Sequence, residues 1–304
     1  MMSIPQLRRD SQSRRFGHAG FTLIELMIGV AISTIAVAAM YALYEGIQKN
    51  SQAQAQVAVM QQNLRGSIIL MEREMRAAGM SRQMPKPNTV GFLDVRRFNA
   101  TAPGTVATPN PNGFPALRVG FDSALLGEPS ELLDIAYLLY DRENTGRNDL
   151  ARGLDYGAGR ELLAEAIEAI GFAYAFDRND NGRLERQNGN IVWAVDANND
   201  GRLDTLLDVD NDGTIDISDV GATIAQDTNG DGVIDLRDIG GPLGFNVTAD
   251  RIRAVMVWVL ARTNRPDPKF INTEAYVVGD RLIGPMNDNF RRRVYVEMIN
   301  SRNM

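Results

Sequence analysis

From Phe21 to Tyr44 the chain runs for 24 residues with a single charged side chain, Glu25. At about 1.5 Å per residue such a helix is long enough to cross the hydrocarbon of a bilayer. After Tyr44 the composition turns to Gln, Ala and Asn, and an apolar stripe begins. Val57, Met60, Leu64, Ile68, Met71, Met75 and Ala78 step by three or four, the spacing of one helix face. No proline occurs between Phe21 and Met84, and Gly79 offers a C-terminal stop. The pattern predicts one helix from about Phe21 to Ala78, roughly 85 Å long if unbroken. Residues 21–44 form its membrane half and residues 45–79 its amphipathic half, with Gly29 and Gly46 as soft points.

Residues 80–304 read as a globular, β-rich head. Segment 81–116 holds six of the twelve prolines and predicts a long loop with few regular elements. Strand-like runs follow at Leu132–Tyr140, Ile170–Phe176, Ile191–Val195, Ile252–Leu260, Ala275–Val278 and Val294–Ile299. Val255, Val257 and Val259 alternate with Met256, Trp258 and Leu260, as in a strand buried on both faces. Arg160–Ala169 predicts a short helix. The sum is α+β, a long helix packed on an antiparallel sheet.

Composition narrows the chemistry. Cysteine is absent and the one histidine, His18, precedes the apolar run. Without them, residues 21–304 can run no Ser-His or Cys-His mechanism and build no ordinary zinc site, so an enzyme is the weaker expectation. Residues 1–20 carry Arg8, Arg9, Arg14 and Arg15 against Asp10. That basic stretch keeps the leader cytoplasmic and sends the rest outward across the inner membrane. Segment 177–238 holds fifteen Asp/Glu against five Arg, so the net charge of -6 hides one strongly acidic region. No basic patch for nucleic acid is apparent.

The run Gly20-Phe21-Thr22-Leu23-Ile24-Glu25 resembles the prepilin processing site of type IV pilins and type II secretion pseudopilins. A secretory signal is cut after its apolar region, whereas Gly20 comes before it. The resemblance implies cleavage after Gly20 by a prepilin peptidase and N-methylation of Phe21. A carboxylate at mid-membrane costs roughly 2.5–3.5 kcal/mol and somewhat less at shallow depth, so Glu25 needs a partner. The family supplies one in the N-terminal amine of a neighbouring subunit. Phe290–Asn303, with Arg291, Arg292 and Arg293 leading into a final strand, is similar to the end of PilW-like minor pilins and of GspJ-type pseudopilins.

The acidic region contains four segments of one spacing. They are Asp177-Asn179-Asn181-Glu185, Asp196-Asn198-Asp200-Asp204, Asp208-Asp210-Asp212-Asp216 with Asp219, and Asp227-Asn229-Asp231-Asp235 with Asp238. In each, Gly182, Gly201, Gly213 or Gly232 holds the sixth position, and Leu184, Leu203, Ile215 or Ile234 the eighth. Calcium takes six to eight oxygens, and side chains at loop positions 1, 3 and 5 converge on one. Glycine permits the sharp turn, position 7 lends a carbonyl (Thr214, Val233), and a carboxylate at position 12 closes the shell. The third and fourth loops are complete and resemble dockerin and thrombospondin type 3 loops. The first two have Asn188 and Leu207 at position 12, so the second must borrow a ligand, Asp208 being near in sequence. Residues 177–240 are therefore expected to be a Ca2+-binding insert in the head.

Three functions compete on these grounds. One is a minor pilin that initiates or caps a type IV pilus. Its partners would be other minor and major pilins, the peptidase and N-methyltransferase, the inner-membrane assembly platform and lipid, and a tip adhesin. The second is a J-type pseudopilin of a type II secretion system. The third is a membrane-anchored, calcium-dependent adhesive module.

Overall fold

The computed structural model describes residues 20–82, 88–99, 105–126, 131–142, 147–157, 159–220, 237 and 241–301. The chain divides into two compact units, Met1–Gln52 and Ala53–Met304. Helix α1 spans Leu23–Ala77, close to the bounds its pattern predicts, and it continues through Gly29 and Gly46.

In the first unit the helix buries nothing. Leu23, Ile24, Leu26, Met27, Ile28, Val30, Ile32, Ile35 and Val37 are all exposed, around its whole circumference. A helix apolar all round is at rest in lipid or among other helices, not in water. It is long and apolar enough to cross a membrane.

In the second unit, among the described residues, α1 is followed by seventeen strands. They are β1 (Gly91–Asp94), β2 (Arg97–Phe98), β3 (Phe114–Pro115), β4 (Leu117–Asp122), β5 (Leu132–Tyr140), β6 (Asp149–Leu154), β7 (Arg160–Ala164), β8 (Ile167–Phe176), β9 (Arg186–Gln187), β10 (Asn190–Ile191), β11 (Ala194–Val195), β12 (Arg202–Leu206), β13 (Pro242–Thr248), β14 (Ile252–Arg262), β15 (Tyr276–Val278), β16 (Arg281–Ile283) and β17 (Arg292–Asn300). All pairings are antiparallel. One sheet has five strands in the order β1-β4-β5-β6-β7, and another has six in the order β13-β12-β11-β8-β14-β17. The predicted α+β class is the observed one.

The apolar stripe of α1 packs where the two large sheets supply their inner faces. Met60, Leu64, Ile68, Met71, Met75 and Ala78 are buried with Leu117, Ile135, Tyr137, Phe172, Val255 and Val257. Strand β14 lies between β8 and β17, with Val257 opposite Phe172 on one side and Glu297 on the other. Its Val255, Val257 and Val259 enter this core, while Ala254, Trp258 and Leu260 enter a second cluster on the opposite face. The β15–β16 hairpin covers that second face, and a Cβ on Gly171 would stand 2.5 Å from the Gly279 nitrogen. Only glycine lets the hairpin turn approach β8 so closely. Gly79 ends the helix with φ 79°, as a left-handed stop should.

One expectation fails. Arg160–Ala169 is not a helix. It forms β7, turns at Ala166 with φ 56°, and enters β8. The turn is fixed by Asp149, whose carboxylate accepts the Ala166 N–H at 2.8 Å. Helix propensity here is overridden by pairing with β6. Segment 81–116, expected to be a loop with few regular elements, contributes only the short strands β1, β2 and β3 among its described residues.

One polar group joins helix to sheet inside the core. Glu74 is fully buried, and Arg152 of β6 donates to its two oxygens, to Oε1 at 2.7 Å and to Oε2 at 3.1 Å. Tyr137 of β5 also donates to it. Burial, and then the Glu74 charge, push the Tyr137 hydroxyl well above the usual phenol range, so it stays a donor. Removing one partner of a buried pair strands the other. Arg152→Ala is expected to cost about 3 kcal/mol in urea unfolding. Lys49→Ala, which breaks an exposed ion pair with Glu45 at 2.8 Å, should cost under about 1 kcal/mol. Equal costs would show that the buried pair contributes no more than a surface one.

Candidate processing junction and acidic loops

The Gly20–Phe21 junction lies just outside regular structure. Gly20 is exposed, Phe21 is 89% exposed, and α1 begins only at Leu23. The peptide a protease would cut is therefore free of helical hydrogen bonds. The next residues form a capping box. Thr22 Oγ1 accepts the Glu25 N–H at 3.3 Å, and Glu25 Oε2 accepts the Thr22 N–H at 3.0 Å and its hydroxyl at 2.9 Å. Glu25 thus satisfies the helix's own first turn. The Thr-x-x-Glu spacing at 22–25 is the sequence signal for that role. Further along, Ser33 and Thr34 donate their hydroxyls to the carbonyls of Gly29 and Val30, both at 2.7 Å. Polar groups satisfied in this way can enter an apolar surrounding at little cost.

The three described acidic loops share one backbone. Position 4 is left-handed in each, at Asp180 (φ 56°), Asn199 (φ 65°) and Asn211 (φ 57°). Position 6 is left-handed too, at Gly182, Gly201 and Gly213. The glycine is legible in the sequence. The Asp/Asn at position 4 is a fainter signal of the same kind, since Asn and Asp are the side chains that best tolerate this region. The first aspartate of each loop accepts the N–H of position 6: Gly182 to Asp177 at 2.6 Å, Gly201 to Asp196 at 2.7 Å, Gly213 to Asp208 at 3.0 Å. The fifth side chain accepts the N–H of position 7: Arg183 to Asn181 and Arg202 to Asp200 at 2.9 Å, Thr214 to Asp212 at 2.7 Å. The apolar residues at position 8 point inward as expected, Leu203 into the first core and Leu184 and Ile215 against the second.

The loops differ in what surrounds those carboxylates. In the first, Asp177 also accepts the Asn181 N–H at 3.1 Å, and Arg251 and Arg253 both reach Asp180 at 3.2 Å. Burial raises the Asp177 carboxyl, but the N–H groups and the Arg253 charge outweigh it and hold the group down. Glu185 is tied through its backbone to Phe176 and Val192. In the second, Asp196 also accepts the Asp200 N–H at 3.1 Å, and Asn198 accepts the same N–H at 2.9 Å. Leu207 at position 12 is fully buried among apolar side chains. Asp204 accepts the Ala197 N–H at 3.0 Å, the same position-2 amide that Asp219 accepts from Val209 at 2.7 Å in the third loop. In this amide contact Asp204 of the second loop takes the place that Asp219 has in the third. Asn199 anchors the second loop to β2 by accepting the Arg97 N–H at 2.6 Å.

In the third loop, Asp208, Asp210 and Asp212 bring one carboxylate oxygen each within 4.8 Å of one another, the one such acidic group among the described residues. Burial, and then the charges of Asp219 and Asp212, raise the Asp208 carboxyl; burial and Asp210 raise Asp219. The fourth loop, with Asp227, Asn229, Asp231, Val233, Asp235 and Asp238, lies outside the described residues.

Asp196 gives a test of this electrostatic crowding. Burial, with Asp204 and Asp200 beside it, raises its carboxyl from 3.8 to about 6. The folded chain therefore holds a proton that the unfolded chain releases, and this contribution to stability fades as pH rises through about 6. In chelator, the Asp196 carboxyl carbon is expected to titrate near pH 6 by NMR. A midpoint in the ordinary aspartate range would show the site to be better solvated than its burial indicates.

With this geometry in place, comparison with known proteins bears on the N-terminus. Among solved structures, a type IV-like pilin from Thermus thermophilus aligns over 80% of this chain and 96% of its own, at 13% identity and a TM-score of 0.37. No curated protein matches the chain. Residues 15–41 match the model of the prokaryotic N-terminal methylation motif. The exposed junction, the capping box and the start of the apolar helix all fall inside that motif.

Proposed function

We propose that this chain is a type IV pilin-like subunit, cut between Gly20 and Phe21, N-methylated at Phe21, and assembled with other pilins through the apolar half of α1. The single observation that carries this reading is the N-terminal methylation motif over residues 15–41, seated on an exposed, non-helical junction. The all-round exposure of the apolar helix supports it. Such a surface needs lipid before assembly, in the inner membrane, and helix neighbours afterwards. Glu25 fits both conditions. In one subunit its charge is satisfied by Thr22, and in a fibre a neighbour's amine could share the same carboxylate. The role is structural, with no catalytic residues.

Within that class we favour a PilW-like minor pilin over a J-type pseudopilin of type II secretion. The arginine-rich entry to β17 supports membership of this pair of groups. Arg292 is almost wholly buried and donates to Glu168 at 2.9 Å and Asp288 at 2.7 Å. Arg291 pairs with Asp267 at 2.8 Å, and Arg293 is exposed. Loss of surface pili on clean deletion supports the pilus, and loss of exoenzyme secretion with intact pili supports the secretion machine.

The decisive measurement is intact mass and N-terminal analysis of protein recovered from its own membrane. The expected product begins at N-methyl-Phe21. A chain that retains residues 1–20 in cells with an active prepilin peptidase would refute the proposal.

A further inference from the structure

We infer that the third acidic loop, Asp208–Asp219, is a calcium site, and that its cation fixes the loop against the β9–β10 hairpin. An acidic cluster alone would not carry this. The independent observation is Asp208 itself, which is 2% exposed and has one carboxylate oxygen, Oδ1, buried with no hydrogen-bond partner. Its other oxygen accepts the Gly213 N–H. A buried, unpartnered carboxylate oxygen is costly, and the cost disappears if a cation sits against it. The comparable oxygens of Asp177 and Asp196 both accept backbone N–H groups, so the first two loops leave no such demand.

Charge points the same way. Asp208, Asp210, Asp212 and Asp219 form no ion pair with any described lysine or arginine, whereas the first loop has Arg251 and Arg253 at hand. The donor set is all oxygen and mostly carboxylate, which suits a hard cation. Asp219 uses its two oxygens to accept the Val209 and Asp216 N–H groups, at 2.7 and 3.0 Å. A carboxylate offers about four lone-pair sites, so it retains acceptor capacity for a metal.

The seat of the loop sets the consequence. Asn190 of β10 donates to the Asn211 carbonyl at 2.8 Å, and a Cβ on Gly213 would meet Asn190 Oδ1 at 3.0 Å. Val209 and Ile215 pack beside Trp193 and Leu184 in the second core. A cation that rigidifies Asp208–Gly213 therefore holds the hairpin in place. The site does not depend on the chain's role as a fibre subunit.

The test uses the full chain in detergent micelles, with calcium as the probe. Calorimetric titration of the wild type is compared with Asp210→Asn/Asp212→Asn, two exposed positions. A second variant, Asn179→Ala, probes the first loop. Near-UV circular dichroism in chelator checks that both fold, and Asp212→Asn alone replaces the double variant if it does not. The expected result is one site weakened about tenfold or more by the third-loop change and unaffected by Asn179→Ala. Calcium should also slow amide exchange at 186–191 in the wild type and not in the third-loop variant. Equal binding by wild type and third-loop variant, or no binding by wild type at millimolar calcium, overturns the site. Equal calcium-dependent protection of 186–191 in both proteins overturns its link to the hairpin.

Discussion

Glu74 carries a negative charge into the centre of the head, and the contact between α1 and the five-stranded sheet depends on neutralising it. Arg152 and Tyr137 do so from adjacent strands, β6 and β5. An apolar stripe on a helix can slide along an apolar face at modest cost. A charged pair with fixed fork geometry cannot, because any shift leaves a buried group unpaired. The pair therefore selects one register of helix against sheet, while Met60, Leu64, Ile68, Met71 and Met75 supply the bulk of the buried area.

The acidic region meets the opposite problem, with too many charges of one sign in too little space. The fold answers largely with its own backbone. Left-handed residues at positions 4 and 6 turn successive N–H groups toward the carboxylates, so each loop builds a small electropositive concavity of amides. The first loop adds arginines from the stretch before β14 and from β14 itself. The third has neither enough amides nor any arginine for Asp208, and the spare demand is concentrated there.

The sequence made some of this legible, and the reasons are physical. Periodicity located α1 within two residues, because long, uninterrupted patterns leave little ambiguity. The two-faced burial of β14 followed from its unbroken apolar run. The repeated glycines located the acidic turns. Arg160–Ala169 misled because Glu, Leu and Ala favour helices locally, whereas its structure is decided by hairpin pairing with the preceding strand β6 and by Asp149, 17 residues before Ala166. Glu74 sat on the stripe, three residues after Met71, but a glutamate on a helix reads as solvated until its partner is known. Arg152 lies 78 residues away, and no spacing rule connects them. The same holds for Arg292 and Glu168, separated by 124.

Strand β17 is paired along all nine of its residues with β14, and β14 is paired again with β8. At its far end, Ser301 donates its hydroxyl to the carbonyl of Ala78, at the foot of α1, at 3.0 Å. The end of an edge strand and the end of the helix are thus fastened to each other, so an opening that frees the end of β17 from β14 also takes a contact away from the helix terminus.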